Sequence, residues 1–290
     1  ERDQKAIKQA VLETGGVQTS LYTTMTDQTS ESEFYNLEAR AYCYPYETEP
    51  NHDVVIVGWD DNFPKEAFPA QVEGNGAYLC ENSWGSLFGD HGFFYVSYYD
   101  KNIGKTNAVY SKVEPADNYD FIYQSDLCGW IGQLGYGDDI AWGANVYTAA
   151  GAENLRAAGF YAVDKNTEYQ VYVARNLTGK EGSSGFSNRE KVASGRLEYA
   201  GFYTIPFDHE IALEPGERFA VIIALQTPGA RHPIAIEFDP GDGRGNVNTK
   251  DGEGYLSFEG RDWVHVEGEQ NCNVCLKAYT SARQPQEGGL

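Results

Sequence analysis

One stretch of sequence decides how the first half of the chain folds: Asn51-His52-Asp53-Val54-Val55-Ile56-Val57-Gly58-Trp59. Four β-branched residues in a row, with polar residues before them and a Gly-aromatic step after them, are typical of a buried β-strand. The sequence therefore predicts a strand over Val54–Trp59 with a histidine at its start.

A second motif, Glu81-Asn82-Ser83-Trp84-Gly85, places Asn82 thirty residues after His52. Nucleophilic catalysis by a thiol needs an imidazole to take the proton, and the imidazole needs a third group that holds its ring and tautomer. The amide oxygen of Asn82 is suited to accept a hydrogen bond from His52. Trp84 is the candidate shield for that bond, which strengthens when water is excluded.

The flanks of both motifs predict a small, mostly β unit. Residues 3 to 13 place Ile7 and Val11 on one helical face, and Gly15-Gly16 ends this helix. Strands are predicted at Val17–Thr23, Ala77–Cys80 and Phe93–Tyr99, and the Pro- and Gly-containing segment Asp60–Gly76 is expected to be an exposed loop.

These features resemble the papain-like cysteine peptidases, in which the catalytic histidine begins a strand ending in Val-Gly-aromatic and the catalytic asparagine lies in Asn-Ser-Trp-Gly. The downstream segment Gly89–Val96 is similar to the family's Gly-x-x-Gly-aromatic strand. The resemblance implies the β-rich right-hand half of a papain-like fold over residues 1–114. It also implies that His52 is the general base and later the general acid, that Asn82 orients it, and that Trp84 covers their contact.

A single histidine at a strand start is more often a hydrogen-bonded structural residue than a catalyst. Here both motifs occur in order, on the expected elements and with matching flanks, which favours the catalytic interpretation. The family places its nucleophile near the mature N-terminus, with the histidine and asparagine roughly 130–150 residues further on. We therefore interpret Glu1 as a cut end, expect the nucleophilic cysteine upstream of this chain, and expect the fragment to be inactive alone.

Two cysteines of the first half are poor substitutes for that nucleophile. Cys43 lies nine residues before His52 in a loop, and Cys80 lies inside the strand that leads to Asn82. Unpaired cysteines are among the most buried residues in proteins, so a structural thiol is the favoured interpretation of Cys80.

Two departures from the family's pattern bear on specificity. Asp53 follows the histidine where relatives commonly have a small apolar residue that lines the pocket for the second residue before the cleaved bond. A carboxylate there favours a basic side chain, although an Asp at a strand end is usually exposed to solvent. Phe88 stands near the position of a second family tryptophan and is assigned to the leaving-group side of the substrate pocket.

The second half of the chain changes to short aromatic and β-branched runs at regular spacing, separated by Gly and Pro turns. This pattern of short strands predicts an antiparallel β-sandwich or jelly roll for the second half. The whole chain is therefore predicted to be mainly β with one helix (α+β). The boundary is placed near Lys112–Asn118, which gives a second domain over residues 115–281 and a linker or tail over residues 282–290.

Residues Gly129–Tyr147, Gly254–Trp263 and Asn273–Ala278 resemble the lectin-like domain that follows papain-like domains in some bacterial surface proteins. The resemblance implies a possible glycan or cell-wall ligand. Aromatic rings stack on sugars, but in an all-β domain they are more often core residues, so no binding site is assigned. The aromatic candidates are Trp130, Tyr136, Trp142 and Trp263.

Metal ions and cofactors are not expected. Cys272 and Cys275 have zinc-like spacing without a second Cys or His pair, and a Cys128–Cys272 disulfide is an alternative that spacing cannot test. The acidic segment Asp239–Glu253 offers oxygen ligands for Ca²⁺ but matches no EF-hand spacing, so a solvated loop is favoured. Its acidic and amide residues include Asp242, Asn246 and Asp251.

Composition excludes two classes of partner. The chain has 290 residues and a formal net charge of −21, which repels nucleic acids and anionic lipid. The longest apolar run, Phe219–Leu225, is far below the roughly 20 residues of a membrane-spanning helix. One Met, 21 Tyr, 32 Gly and strong acidity suit an extracellular bacterial protein, secreted or on the cell surface.

The sequence thus predicts part of a secreted or surface bacterial papain-like cysteine endopeptidase that hydrolyses peptide bonds, followed by a lectin-like β-sandwich. The expected partners are a peptide or protein substrate, the missing N-terminal half of the peptidase domain and a possible glycan. The alternative is a non-catalytic adhesion or glycan-binding surface protein with a degenerate peptidase-like domain.

Overall fold

The computed structural model describes residues 3–178, 186–241, 247–250 and 253–283. The chain divides into two compact units, Glu1–Glu114 and Pro115–Leu290. In the described part of the chain, no helix combines the length and the apolar character needed to cross a membrane.

The first unit contains one α-helix, one 3-10 helix (Lys65–Ala67) and seven strands. Their bounds are α1 Gln4–Thr14, β1 Val17–Leu21, β2 Tyr35–Asn36, β3 Ala41–Tyr42, β4 His52–Asp60, β5 Ala77–Glu81, β6 Phe93–Ser97 and β7 Asn107–Ala108. The strands form one sheet in the order β2-β3-β6-β5-β4-β1-β7.

Helix α1 begins and ends as its sequence predicts. The Asp3 carboxylate accepts hydrogen bonds from the backbone N–H groups of Lys5 and Ala6, which have no partner within the helix. At the other end Gly15 has a φ of 83°, a left-handed conformation that glycine adopts without strain. Ile7 and Val11 are buried in the same core cluster as residues of the sheet.

The register of the central strands determines where the polar ends of the sheet meet. Strand β1 runs antiparallel to β4 and pairs Leu21 with His52, the last residue of one strand with the first of the other. On its other side β4 pairs with β5, with a β-bulge between Ile56 and Gly58. The start of β4 and the end of β5 therefore lie at the same edge of the sheet.

Two segments of this unit are more ordered than their sequences indicate. The segment Asp60–Gly76 is not simply an exposed loop, because Phe63 and Phe68 are buried in a small separate cluster with Ala41, Cys43 and Ala77. The Tyr-rich segment before Asn51 contains the short strands β2 and β3, and β3 pairs in parallel with β6. Runs of two residues carry no periodicity from which a strand is predicted.

The second unit contains thirteen strands and one short helix among its described residues. Their bounds are β8 Phe121–Tyr123, β9 Gly132–Leu134, β10 Ile140–Thr148, β11 Glu153–Ala162, β12 Thr167–Ala174, β13 Arg189–Leu197, β14 Gly201–Leu213, β15 Arg218–Gln226, β16 Ile234–Phe238, β17 Gly254–Ser257, β18 Val264–His265, α2 Val266–Gln270, β19 Cys272–Val274 and β20 Leu276–Ala282.

These strands form sheets of six (β13-β12-β15-β10-β17-β18), four (β14-β11-β20-β8) and three (β19-β16-β9) strands. The main core lies between the first two sheets, where Val171 and Ile223 of the six-stranded sheet join Leu155, Phe160 and Leu276 of the four-stranded one. Apolar side chains on the facing surfaces of the two sheets supply this core. The mainly β prediction with an antiparallel sandwich is confirmed.

Sequence analysis missed one strand of this unit and placed one boundary wrongly. The long strand β13 was not predicted, because it is rich in exposed polar residues and its buried residues Val192, Ala193 and Leu197 do not alternate. Ala282, assigned to the tail, is the last residue of β20. The rest of the predicted tail, residues 284–290, and the acidic residues Asp242, Asn246 and Asp251 lie outside the described residues.

Candidate active site

His52 is the first residue of β4, and the residue before it holds the start of this strand. The Asn51 side chain accepts a hydrogen bond from the Thr23 backbone N–H (2.8 Å) and donates one to the Thr23 carbonyl (2.9 Å). The Asn51 backbone N–H donates to the Leu21 carbonyl at 3.1 Å. We call these three bonds the Asn51 clamp. They attach the backbone beside the imidazole to the end of β1.

Asn82 follows the last residue of β5 and approaches the imidazole from the neighbouring strand. Its Oδ1 lies 2.8 Å from Nε2 of His52, and the Asn82 side chain is largely buried. The same Oδ1 accepts the Ser83 backbone N–H at 2.8 Å, which identifies this atom as the oxygen. Because an oxygen can only accept, Nε2 carries the hydrogen and Nδ1 is the ring atom that can take a proton.

Trp84 lies against the imidazole. The two rings are stacked with centroids 4.8 Å apart and an interplanar angle of 30°. An indole in this position covers one face of the His52–Asn82 pair and lowers the dielectric around their hydrogen bond. The structure therefore brings together His52, Asn82 and Trp84 at one edge of the sheet.

Phe88, which the sequence assigns to the leaving-group side of the substrate pocket, lies in the core of the first unit. Its side chain is 3% exposed and packs edge-on against Trp84, with ring centroids 5.1 Å apart. On its other sides it contacts Tyr35 and Phe94. A fully buried aromatic ring contributes a large apolar area to the stability of the core. Phe88 therefore supports the indole of Trp84 from within the core.

The turn that follows Trp84 needs a glycine. Gly89 has a φ of 58°, and a Cβ at this position would lie 2.2 Å from the Phe93 carbonyl oxygen. The turn is closed by hydrogen bonds from Gly92 N to Phe88 O and from Asn82 N to Gly92 O. The Gly-x-x-Gly spacing thus holds the segment that carries both Asn82 and Trp84.

Asp53 is exposed and lies beside β1. Its Oδ1 accepts a hydrogen bond of 2.6 Å from the Ser20 hydroxyl on the paired strand. Within the described residues no basic side chain forms an ion pair with this carboxylate.

Neither cysteine of the first unit can act as a thiolate at neutral pH. Cys43 and Cys80 are fully buried. Burial, with a smaller effect of the Asp100 charge, raises the pKa of Cys43 to about 12 and that of Cys80 well above its ordinary value. Both are structural thiols, as the sequence predicts for Cys80.

The cysteines of the second unit form no disulfide, so the Cys128–Cys272 alternative is excluded. Burial, and then the Glu267 charge, raises the pKa of Cys272 to about 11, while Cys128 is exposed. Across residues 3–178, 186–241, 247–250 and 253–283, no three His, Cys, Asp or Glu side chains cluster as metal ligands.

The four aromatic candidates of the second unit have different surroundings. Trp263 is 8% exposed and packs edge-on against Phe186, so it is a core residue and not an exposed platform. Trp130 packs beside Tyr161, and Tyr136 contacts Phe258 at the surface. Trp142 is half-buried and lies under the guanidinium of Arg189.

Sequence analysis missed two features of these sites. Asn51 was quoted as part of the His52 motif but was given no role, although an Asn directly before the histidine is a residue type that bonds nearby backbone groups. Arg189 was not considered, because its position over Trp142 depends on pairing between strands that are distant in sequence.

The geometry agrees with the family comparisons. Residues 1–113 match the papain family cysteine protease, and residues 122–280, more than half of the chain, match the lectin like domain. The chain belongs to the lectin-like domain family through its second unit, and its first unit is similar to the papain family cysteine proteases.

Two solved structures match nearly the whole chain. A crystal structure of the cysteine protease and lectin-like domains of Cwp84, a surface layer associated protein of Clostridium difficile, has a TM-score of 0.80 and 26% identity; the match covers 98% of this chain and 62% of that one. The structure of a clostridial Cwp84 variant after propeptide cleavage has a TM-score of 0.78 and 26% sequence identity. This match covers 98% of this chain and 69% of that one.

Among curated proteins, cathepsin S of Rattus norvegicus is 32% identical over 101 residues. The match covers 34% of this chain and 26% of cathepsin S. The chain thus spans about a quarter of this relative and less than two thirds of the first Cwp84 structure.

Proposed function

We propose that the first unit contributes the histidine and asparagine of a cysteine endopeptidase active site in a bacterial secreted or surface protein. The single observation that carries this proposal is the 2.8 Å contact between Nε2 of His52 and Oδ1 of Asn82, beneath a stacked indole. The papain-family match of the unit and the Cwp84 relatives support the same chemistry and location.

The proposed mechanism follows from the tautomer. Asn82 holds the hydrogen on Nε2, so Nδ1 takes the proton of a cysteine thiol and the resulting thiolate attacks the peptide carbonyl carbon. The imidazolium then gives this proton to the departing amine nitrogen as the C–N bond breaks, leaving a thioester. His52 next deprotonates water, the hydroxide attacks the thioester, and the thiol is released with the carboxylic acid product.

The nucleophile in this proposal comes from an N-terminal half of the peptidase domain that precedes this sequence. The chain's own candidates, Cys43 and Cys80, are fully buried, and burial raises the pKa of both thiols. The proposal therefore expects the 290-residue chain to be inactive alone.

The test is active-site titration of the full-length protein with a thiol-directed peptidyl inhibitor. We expect one equivalent of inhibitor to bind in the parent protein and in Cys128→Ser, which removes an exposed thiol. We expect His52→Ala to abolish rapid labelling, because the thiolate is no longer formed. Absence of labelling in the parent protein would contradict the proposal and favour the non-catalytic adhesion protein.

We further propose that Asp53 selects a basic side chain at the second residue before the cleaved bond. Its support is an exposed carboxylate, hydrogen-bonded to Ser20, without a basic partner among the described residues. Profiling of the full-length enzyme should show a preference for Arg or Lys over Leu that Asp53→Asn removes and Ser20→Ala preserves. Equal cleavage of Leu and Arg peptides by the parent would refute it.

For the second unit we propose a glycan or cell-wall ligand. The support is its match to the lectin-like domain and the half-buried aromatic side chains on the six-stranded sheet. A glycan array probed with the whole chain tests this proposal, and the lack of binding to any glycan would overturn it.

A further inference from the structure

A cleft opens on the outer face of the six-stranded sheet, the face turned away from the four-stranded sheet. Its volume is about 580 Å³, within the range of small-molecule sites. We call it the arginine cleft, and its walls include Tyr172, Ser187, Arg189, Arg261, Asp262 and Trp263.

Arg189 is held in one orientation at the base of this cleft. Its Nη1 donates to the carbonyls of Phe186 and Gly260, each at 3.0 Å. The guanidinium lies 4.7 Å from the Trp142 ring centroid and 5.4 Å from that of Tyr172. Such a fixed, flat cation loses little conformational entropy when it binds a ligand.

The hairpin between β17 and β18 fits closely over this arginine. A Cβ at Gly260 would lie 2.9 Å from both Arg189 Nη2 and Trp142 Cε3, so only glycine allows the backbone to approach. The same hairpin carries Arg261 and Asp262, both exposed, to the wall of the cleft. The cleft is therefore preformed by packing.

Arg189 and Arg261 bring two positive charges to the same cleft. Burial lowers the pKa of Arg189, Tyr172 opposes this effect, and the charge of Arg261 adds a smaller lowering. Within the described residues neither guanidinium has a carboxylate ion-pair partner. Three other arginines of this unit do pair with glutamates, namely Arg156, Arg175 and Arg283. An anion bound between Arg189 and Arg261 would relieve their repulsion.

We propose that the arginine cleft binds a saccharide that carries an anionic group, a carboxylate or a phosphate. The guanidiniums of Arg189 and Arg261 bind the anion, the Tyr172 ring contacts the sugar, and the Ser187 hydroxyl and the Asp262 carboxylate hydrogen-bond sugar hydroxyls. The inference rests on the proposed glycan binding of the second unit and adds the chemical class of the glycan.

The test is calorimetric titration of the whole chain with three saccharides of equal length: a uronic-acid oligosaccharide, a phosphorylated one and a neutral one. We expect at least one anionic saccharide to bind about tenfold or more tightly than the neutral one, with affinity that falls as salt rises. The better of the two anionic ligands identifies the anionic group.

Arg261→Gln is the decisive variant because Arg261 is exposed and its loss leaves the core intact. We expect it to lower affinity for the anionic saccharide about tenfold, while Arg231→Gln, which removes an exposed positive charge elsewhere in the unit, changes little. Ser187→Ala should lower affinity by a smaller factor.

Two outcomes overturn the inference in different ways. If glycans bind but Arg261→Gln matches Arg231→Gln, or the neutral saccharide binds equally well, the arginine cleft is not the anionic site and the glycan function survives. If no saccharide binds, here or on the array, the glycan function fails as well.

Discussion

Both units place a nitrogen-containing side chain against an indole, and the two arrangements differ in what holds that side chain. In the first unit the His52 ring lies 4.8 Å from Trp84 and is bound through one nitrogen to Asn82. In the second, Arg189 lies 4.7 Å from Trp142 and is bound to two backbone carbonyls.

This difference follows from the chemistry of the two groups. An imidazole that moves a proton must keep one nitrogen in a fixed state and leave the other free, which a single oxygen acceptor achieves. A guanidinium keeps its charge, so several acceptors can hold it without changing what it does. Variants around Trp84, at Asn82 and at the carboxylate partner of Arg175 test this difference.

The largest expected effect is at Phe88, the ring beneath Trp84. Phe88→Ala should lower the free energy of unfolding of the first unit by about 3–5 kcal/mol, because it leaves a cavity in the core. Chemical denaturation followed by tryptophan fluorescence measures this loss. The neighbouring variant Leu87→Ala, at a side chain 82% exposed, is the control and should change little. Similar values for the two variants would contradict the support role of Phe88.

The next effect is at Asn82, which acts on the imidazole as a positioning residue. In the full-length enzyme, Asn82→Ala should lower kcat/KM about 10²-fold because the tautomer and ring orientation are no longer held. It should also shift the pH profile of kcat/KM, which a merely structural loss would not do. Ser83→Ala keeps the backbone N–H that bonds Asn82 and should retain the parent's profile.

A third prediction contrasts Arg189 with a guanidinium that has a carboxylate partner. Arg175 forms two hydrogen bonds to Glu217, at 2.8 and 2.9 Å. Burial alone raises the pKa of Glu217, but these bonds and backbone N–H groups outweigh it, so the pKa lies below its ordinary value. The native state therefore binds fewer protons than the unfolded state, and this stabilisation is lost as pH falls through the folded pKa.

Glu217→Gln should accordingly cost about 1.5–3 kcal/mol near neutral pH and less in acid. Urea denaturation of the whole chain at several pH values measures the difference. Glu190→Gln, at an exposed pair with His209, is the control and should cost less than about 1 kcal/mol. A cost at Glu217 that does not change with pH would rule out the ion pair as its cause.

The smallest effect is at Trp84 itself. Trp84→Phe keeps an aromatic ring against His52 but covers less of the hydrogen bond to Asn82. We expect kcat/KM of the full-length enzyme to fall by ~3–10-fold, equivalent to ~0.5–1.5 kcal/mol. Trp59→Phe, at a tryptophan outside the His52–Asn82 contact, should leave kcat/KM unchanged. Equal losses in both variants would mean that the indole at Trp84 has no specific role.

The elements with strong local patterns could be predicted from the sequence. Helix α1 has a capping Asp3 and a terminating Gly15, and the buried strands have continuous apolar runs, so their types follow from short-range chemistry. The grouping of His52, Asn82 and Trp84 was also predictable, because the two motifs lie at the ends of adjacent antiparallel strands.

Features that depend on distant pairing could not be predicted. Phe88 was assigned to a pocket because a sequence position does not tell which side of a turn faces the core. Phe63 and Phe68 lie between prolines and glycines, which obscured their burial. Arg189 meets Trp142 only because β12, β15 and β10 stand side by side in the sheet.

The Asn51 clamp also bears on how proteins with this fold diversify. Its bonds join residues 21–23 to residue 51 and so close the base of the intervening segment independently of the turn that precedes β2. Loop-closure entropy grows only logarithmically with length. Insertions at the exposed turn around Thr26–Ser30 can therefore accumulate over evolution and reshape the neighbouring surface while the imidazole keeps its place.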